Sequence, residues 1–298
     1  MSLGSDLRMA ARYAKGLYDF WRTPYDASDP IGAVRAQLAR RNQVFESSIR
    51  RAVFQHPASP YLPLLQAARI DEERFAELVR AHGVEGTLRR LYEAGVYVTL
   101  DEFKGRTAIR RGAQEYLVSA SDFDNPRSRQ HMVSQTGGSR SRGTRLVIDL
   151  YDLLDELAAR QLFMQAHDLM RRPFAMWRPA PPAVAGLRHV LRSAKVGVPL
   201  VRWYSQTSPG VTSTGGKSAY LTWCTVLVSA LMGHRIAWPR HLPVDRADVV
   251  ARWLAEQTAR GVSVHLDVIV SSAVRICLVA RELGLDISGH VFRTHSEP

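Results

Sequence analysis

Two cysteines, Cys224 and Cys277, in 298 residues are too few for a disulfide framework, so the chain must hold its shape through an ordinary apolar core. Both sit in apolar helical patterns and read as buried free thiols. Lysine is nearly missing as well. Only Lys15, Lys104, Lys195 and Lys217 occur, and the rest of the 40 basic residues are arginine. Against 28 acidic residues they leave a net charge of +12. The charge is scattered rather than run together, which argues against a nucleic-acid-binding tail. A basic surface of this kind still attracts anionic nucleotides or acidic carrier proteins. No apolar run is long enough for a membrane span: Ala219–Met232 is interrupted by Thr222, Thr225 and Ser229 and reads as a buried helix. The first residues lack the uninterrupted apolar segment of a signal peptide. A cytoplasmic protein without a membrane partner is expected. There is no internal repeat and no serine–histidine–aspartate signal. His234, His241, His265, His290 and His295 show no zinc-ligand spacing backed by cysteines.

What is present is a chain with 46% apolar residues, enough for one large or two small cored domains. Residues 1–95 read as mostly helical, interrupted around Pro24, between Asp26 and Pro30, and at Pro57, Pro60 and Pro63. Phe75, Leu78, Val79 and His82 fall at helical spacing before Gly83, and Leu88, Leu91 and Tyr92 form a second such face before Gly95. From Val96 onward the pattern is α/β. Strands are expected at 96–99, 107–110, 144–149, 198–203, 234–237, 263–269 and 290–294. Helices are expected at 151–166, 185–194, 218–232, 244–259 and 272–283. In 263–269 the alternation is clear: Val264, Leu266 and Val268 face one way, Ser263, His265 and Asp267 the other. The fold class is therefore α/β, a helical N-terminal region (1–95) followed by a largely parallel sheet flanked by helices (96–298). The stretch 173–183, with Pro173, Pro179, Pro181 and Pro182, is the best candidate for an internal linker.

The segment 134–145 carries no apolar side chain and three glycines. Glycines let backbone N–H groups converge on an anion without interference from Cβ. Ser134, Thr136, Ser139, Ser141 and Thr144 add hydroxyl donors. Arg140, Arg142 and Arg145 supply fixed positive charge and forked donors suited to phosphate oxygens. The same composition also suits a solvated surface loop. A second glycine-rich segment, Gly210 to Ser218, nearly matches a nucleotide-triphosphatase loop, but its first glycine stands one position too early, and the backbone nest depends on loop length. Asp149 and Asp152 suggest a metal pair, yet Asp152 and Asp155 lie at a helix start, where carboxylates are favoured anyway.

The segment 134–145 resembles the phosphate loop of acyl-adenylate-forming enzymes, the phenylacetate–CoA ligase-like and acyl-protein-synthetase-like branch. Thr136, Gly138 and Ser139 match the loop's first, third and fourth positions, and Thr144 falls at its variable end. Gly137 replaces a serine, Arg140 a small hydroxyl residue and Ser141 a glycine, while Gly143 stands where proline is usual. Residues 84–112 look like the region ahead of that loop. Residues 263–298 look like the unit ending in a Gly-Glu-Pro or Ala-Glu-Pro motif, here Ser296-Glu297-Pro298.

The resemblance implies a reaction in which a carboxylic acid attacks the α-phosphorus of ATP, with Mg²⁺ on the phosphates, and the acyl group passes to a thiol of CoA or a carrier protein. It implies that residues 136–145 grip the triphosphate, Ser296 and Glu297 border the adenine, and Trp203 or Tyr204 lines the acyl pocket; core packing is the favoured reading of those two aromatics. The family's later motifs and its C-terminal subdomain do not follow Pro298, so a second chain supplying that part is expected if the protein is active. An inactive remnant or accessory subunit, and an unrelated P-loop or nucleic-acid-binding protein, stand as the alternatives.

Overall fold

The computed structural model describes residues 3–112, 114–135, 145–181, 183–207 and 215–295. The chain forms two compact units. One comprises the residues up to Ile31 together with those from Asp149 onward, and the other spans Gly32–Ile148. The boundary expected between residues 95 and 96 falls inside the second unit.

The N-terminal helix α1 (Leu3–Arg22) belongs to the first unit. Tyr13, Leu17 and Phe20 recur at helical spacing and are fully buried. The three carbonyls at its C-terminal end, those of Phe20, Trp21 and Thr23, accept hydrogen bonds of 3.0, 2.8 and 2.6 Å from the Lys195 ammonium. A cation is favoured there because the last carbonyls of a helix lack backbone partners.

The chain then builds the second unit. Helices α2 (Pro30–Ala39) and α3 (Arg41–Ile49) lead into a π-helical turn, Arg50–Phe54. Next come α4 (Leu62–Ala67) and α5 (Glu72–Glu93), the latter capped by Asp71, whose carboxylate accepts from the Arg74 N–H at 2.8 Å. Gly83 breaks α5 at φ 65° and ψ −171°, a conformation essentially closed to other residues. Residues 96–99, expected to be a strand, instead lead into the short helix α6 (Leu100–Phe103). Thr99 and Glu102 form a reciprocal capping box, and that local signal outweighs the alternating apolar pattern. Strands β1 (Ile109–Arg111) and β2 (Gln114–Tyr116) pair antiparallel, as do β3 (Met132–Gln135) and β4 (Arg145–Ile148). The unit's core gathers Val53, Leu64, Leu65, Phe75, Val79 and Leu91 around Ile109.

Returning to the first unit, the chain forms α7 (Asp152–Asp155), α8 (Leu157–Ala166), β5 (Phe174–Trp177), α9 (Val184–Lys195), β6 (Leu200–Ser205), α10 (Gly215–Leu231), β7 (Pro239–His241), α11 (Ala247–Ala259), β8 (His265–Ile269), α12 (Val270–Glu282) and β9 (Val291–His295). Five of these strands make one sheet in the order β7-β6-β5-β8-β9, every neighbouring pair parallel. Counted by their sequence within the sheet, the strands lie 3-2-1-4-5, the order of a doubly wound α/β fold. One face packs on α11 and α12 through Trp177, Tyr204, Leu266, Val268, Val250 and Ile276. Two of the polar residues that interrupt the apolar run of α10, Thr225 and Ser229, find partners on α1. Thr225 gives its proton to the Leu221 carbonyl (2.8 Å), so the Tyr13 hydroxyl donates to Thr225 (2.7 Å), and the Trp21 indole donates to Ser229 (2.9 Å).

The central strand β5 lies in the stretch that reads as a linker. Phe174, Ala175, Met176 and Trp177 are all fully buried. Proline is tolerated here because Pro173 sits just before the ladder, where its carbonyl still accepts from the His265 N–H at 3.0 Å. Pro179 comes after Arg178, whose N–H closes the ladder on the Tyr204 carbonyl at 2.9 Å. The edge strand is displaced in the same way. Residues 234–237 are not a strand, and β7 begins at Pro239, an edge position where the missing N–H costs nothing. Trp177→Ala separates a linker from a central strand. It is expected to cost about 3–5 kcal/mol of stability, seen as a fall in the urea midpoint; a change under ~0.5 kcal/mol would fit a surface position.

Candidate functional site

Asp267 occupies the middle of β8, paired with Met176 on β5 and Arg293 on β9. Its side chain has no solvent exposure. Strand alternation aims His265 and Asp267 at the sheet face opposite α11 and α12. There Asp267 is held by two guanidinium groups: Arg178 at the end of β5 donates to one carboxylate oxygen, and Arg293 donates to the other at 2.9 Å. Arg293 also reaches His189 Nδ1 at 3.0 Å, and Arg192 approaches the same nitrogen at 3.3 Å. Both neighbours are donors, so His189 accepts through Nδ1 and is neutral. Burial, helped by Arg293, Arg192 and Arg160, pushes its pKa down to about 2.

Helices α8 and α9 complete the cluster. Arg160 donates to Ser193 at 2.7 Å, while Glu156 takes both Arg188 and Arg192. Burial brings the Arg160 guanidinium down to about 9, still charged at neutral pH. His265 stacks on Phe174 at 5.2 Å. Its burial, helped by the Arg160 charge, lowers its pKa to about 4. Among the described residues, Arg178 Nη2, Arg160 Nε and Nη1, and both ring nitrogens of His265 are buried without a hydrogen-bond partner. The face is therefore rich in buried donors and short of acceptors, a setting that favours an anion.

In a doubly wound sheet, ligands bind at the carboxyl ends of the strands where the strand order reverses. Here the reversal falls between β5 and β8, and Arg178 stands at that edge. Ser205, at the end of β6, accepts from the Ala180 N–H at 3.2 Å and donates to the Thr207 carbonyl at 2.8 Å. Gln206 reaches Ser272 of α12 at 3.4 Å. The first strand-to-helix turn carries Pro179, Pro181 and Pro182 where dinucleotide-binding folds have glycines. Gly186 keeps α9 close to that turn: a Cβ there would meet the Pro179 carbonyl oxygen at 2.9 Å.

Residues Thr136, Gly137, Gly138, Ser139, Arg140, Ser141, Arg142, Gly143 and Thr144 lie outside the described residues; they connect β3 to β4, whose last pair is Gln135 with Arg145. Arg145 is engaged by Asp124 at 2.6 and 3.2 Å. Ser296 and Glu297 also lie outside the described residues, and Gly215 to Ser218 fall in the first turn of α10. Trp203 and Tyr204 are core residues on opposite faces of the sheet. Trp203 is fully buried, with its indole on the Arg178 carbonyl at 3.0 Å. Tyr204 packs edge-on against Trp253. Alternation along β6 prevents the two from lining one pocket. Asp149 accepts from the Tyr151 N–H at 3.0 Å, and no group of three His, Cys, Asp or Glu among the described residues could hold a metal.

Sequence reasoning placed Asp267 on the polar side of its strand but gave it no role. A carboxylate in the middle of a strand whose other face is wholly apolar is the available signal. Its partners, 89 and 26 residues away, were not legible. No protein-family model matches the chain, and neither curated proteins nor solved structures yield a match.

Replacing Asp267 by Asn leaves Arg178 and Arg293 buried without their counter-charge. A loss of about 3–5 kcal/mol is expected, read as a lower thermal midpoint. His189 and His265 are both neutral in the folded protein with pKa values below the unfolded value of about 6.5. Their stabilisation is complete above that value and is lost as pH falls, for His265 down to about 4 and for His189 down to about 2. His234, stacked on Trp21 beside Lys195, shifts the same way. Urea unfolding should therefore show stability dropping by roughly 2–3 kcal/mol per pH unit between about pH 6 and 4.5. His265→Gln should remove about one proton from that slope.

Proposed function

We propose that this chain is the nucleotide-gripping part of an ATP-dependent enzyme that activates a carboxylic acid as its acyl-adenylate and passes the acyl group to a thiol of coenzyme A or a carrier protein. The observation that carries the reading is where β9 ends. Its last pair, His295 with Ile269 of β8, lies at the carboxyl edge of the sheet. The sequence Ser296-Glu297-Pro298, which resembles the adenine-bordering motif, follows directly. Arg178, with an unpartnered Nη2, stands at the reversal point of the same edge and suits an anionic oxygen. ATP supplies the electrophilic phosphorus and the pyrophosphate leaving group. The chain's own share is to hold: Thr136, Gly138 and Ser139 through hydroxyl and backbone donors, Arg140 and Arg142 through charge, Ser296 and Glu297 beside the base. Arg145 contributes only if it leaves Asp124. The described residues include no helix long and apolar enough to cross a membrane, and this reading places the protein in the cytoplasm, where ATP and acyl-accepting thiols are supplied.

Exchange of labelled pyrophosphate into ATP across a panel of carboxylic acids tests the activity. Acid-dependent exchange is expected. ATP binding without any exchange would identify an inactive remnant, a reading favoured by Gly137, Arg140 and Ser141 in place of the family's residues. Thr136→Ala with Ser139→Ala should weaken ATP binding about tenfold or more, as loss of hydrogen bonds to a charged group does. Unchanged affinity in equilibrium titration would remove the loop from the site.

A further inference from the structure

The unit Gly32–Ile148 contains a cavity of about 560 Å³ between α3, α5 and the turn 122–126, within the size range of small-molecule sites. Its floor is the unit's own core: Val53, Leu65, Phe75 and Leu91 line it and are at most 7% exposed. Its lip carries Leu88 and Tyr92, which are 49% and 63% exposed. Apolar side chains that large, left open to water at the mouth of an apolar cavity, mark a binding surface rather than ordinary scatter.

The walls are built from two departures from regular helix. The π-helical turn Arg50–Phe54 contributes Ala52 and Val53. The break at Gly83 sets the direction of the second half of α5, which contributes Leu88, Leu91 and Tyr92. π-Turns and positive-φ breaks carry a conformational cost and are frequent at functional sites.

The charge of the lining selects the ligand. In a chain with 40 basic residues, no arginine or lysine among the described residues lines this cavity, and the charged described residues in its wall are Asp122 and Asp124. Asp122 accepts from the Ser119 N–H and hydroxyl at 2.8 and 2.9 Å, and Asp124 accepts from Arg145. A carboxylate has lone pairs beyond these. Arg145 already neutralises Asp124, so Asp122, held by Ser119, gives the rim its acceptor character, which disfavours an anionic head and welcomes a hydrogen-bond donor.

We infer that this cavity binds a small apolar molecule whose polar end is a donor, an amine or a hydroxyl, and not an anion. The site lies within one unit and does not rest on the nucleotide reading. Three probes sharing one ring system test it: 2-naphthylmethylamine, 2-naphthol and 2-naphthoate, titrated into the full chain and followed by calorimetry. The amine and the alcohol should bind, and the carboxylate at least tenfold more weakly. Leu88→Arg places a cation at the exposed lip without touching the core. It should cut amine affinity at least tenfold and improve that of the carboxylate. Ala52→Phe should fill the cavity and abolish binding of all three; if that variant fails to fold, Leu88→Arg still decides. The inference is overturned if no probe binds at millimolar concentration, if the carboxylate binds best, or if Leu88→Arg leaves all three affinities unchanged.

Discussion

A single carboxylate, Asp267, has no exposure and sits between two arginines in the middle of an all-parallel sheet. Burying that charge is tolerable only because Arg178 and Arg293 arrive from the strands on either side of β8. The pairing ties β8 to β5 and to β9 at one register. A one-residue slip of β8 would turn Asp267 into the apolar layer beneath α11 and α12 and expose Leu266 and Val268 to the charged face. His189 is drawn into the same arrangement. It accepts from Arg293 and so remains neutral, which spares the face another positive charge.

This arrangement shapes what the sheet can do. The cations over the α8–α9 face outnumber their acidic partners, and Arg178 brings that excess to the edge where doubly wound folds take their ligands. The first strand-to-helix turn is stiffened by prolines and carries no glycine fingerprint, so phosphate recognition there cannot follow the dinucleotide pattern.

The second unit follows a different physical logic. Its strands are short and its long helix α5 is broken at Gly83, and local devices hold it: the Asp71 cap, the Thr99–Glu102 box, and the bidentate grip of Arg111 on Glu102 at 2.8 and 3.1 Å. Arg111 also lies 4.0 Å over the Tyr97 ring. Gly105 is obligatory in this frame, since a Cβ would meet the Val118 carbonyl oxygen at 2.6 Å. Such clamps fix the rim of the unit while its centre keeps an apolar cavity that its own side chains do not fill.

Much of the fold was legible in the sequence because its signals are local. Period-2 alternation located β8 and helical spacing located α5, α9, α11 and α12. The α/β class followed from their succession. The central strand β5 is hidden because its four buried residues between prolines carry no period, and the strand-like alternation of 96–99 masks the polar Thr99–Glu102 capping box that turns the chain into α6. The candidate site was legible only as a polar anomaly at Asp267. By itself the sequence determined the alternation of elements and the donor-rich segments, since each depends on residues near in the chain. Only the tertiary structure decided that β5 lies at the centre, that Trp203 and Tyr204 face apart, and that Arg178, Asp267, Arg293 and His189 meet. Those outcomes depend on strands distant in sequence pairing side by side, and a buried charge finds its partner only after that pairing has formed.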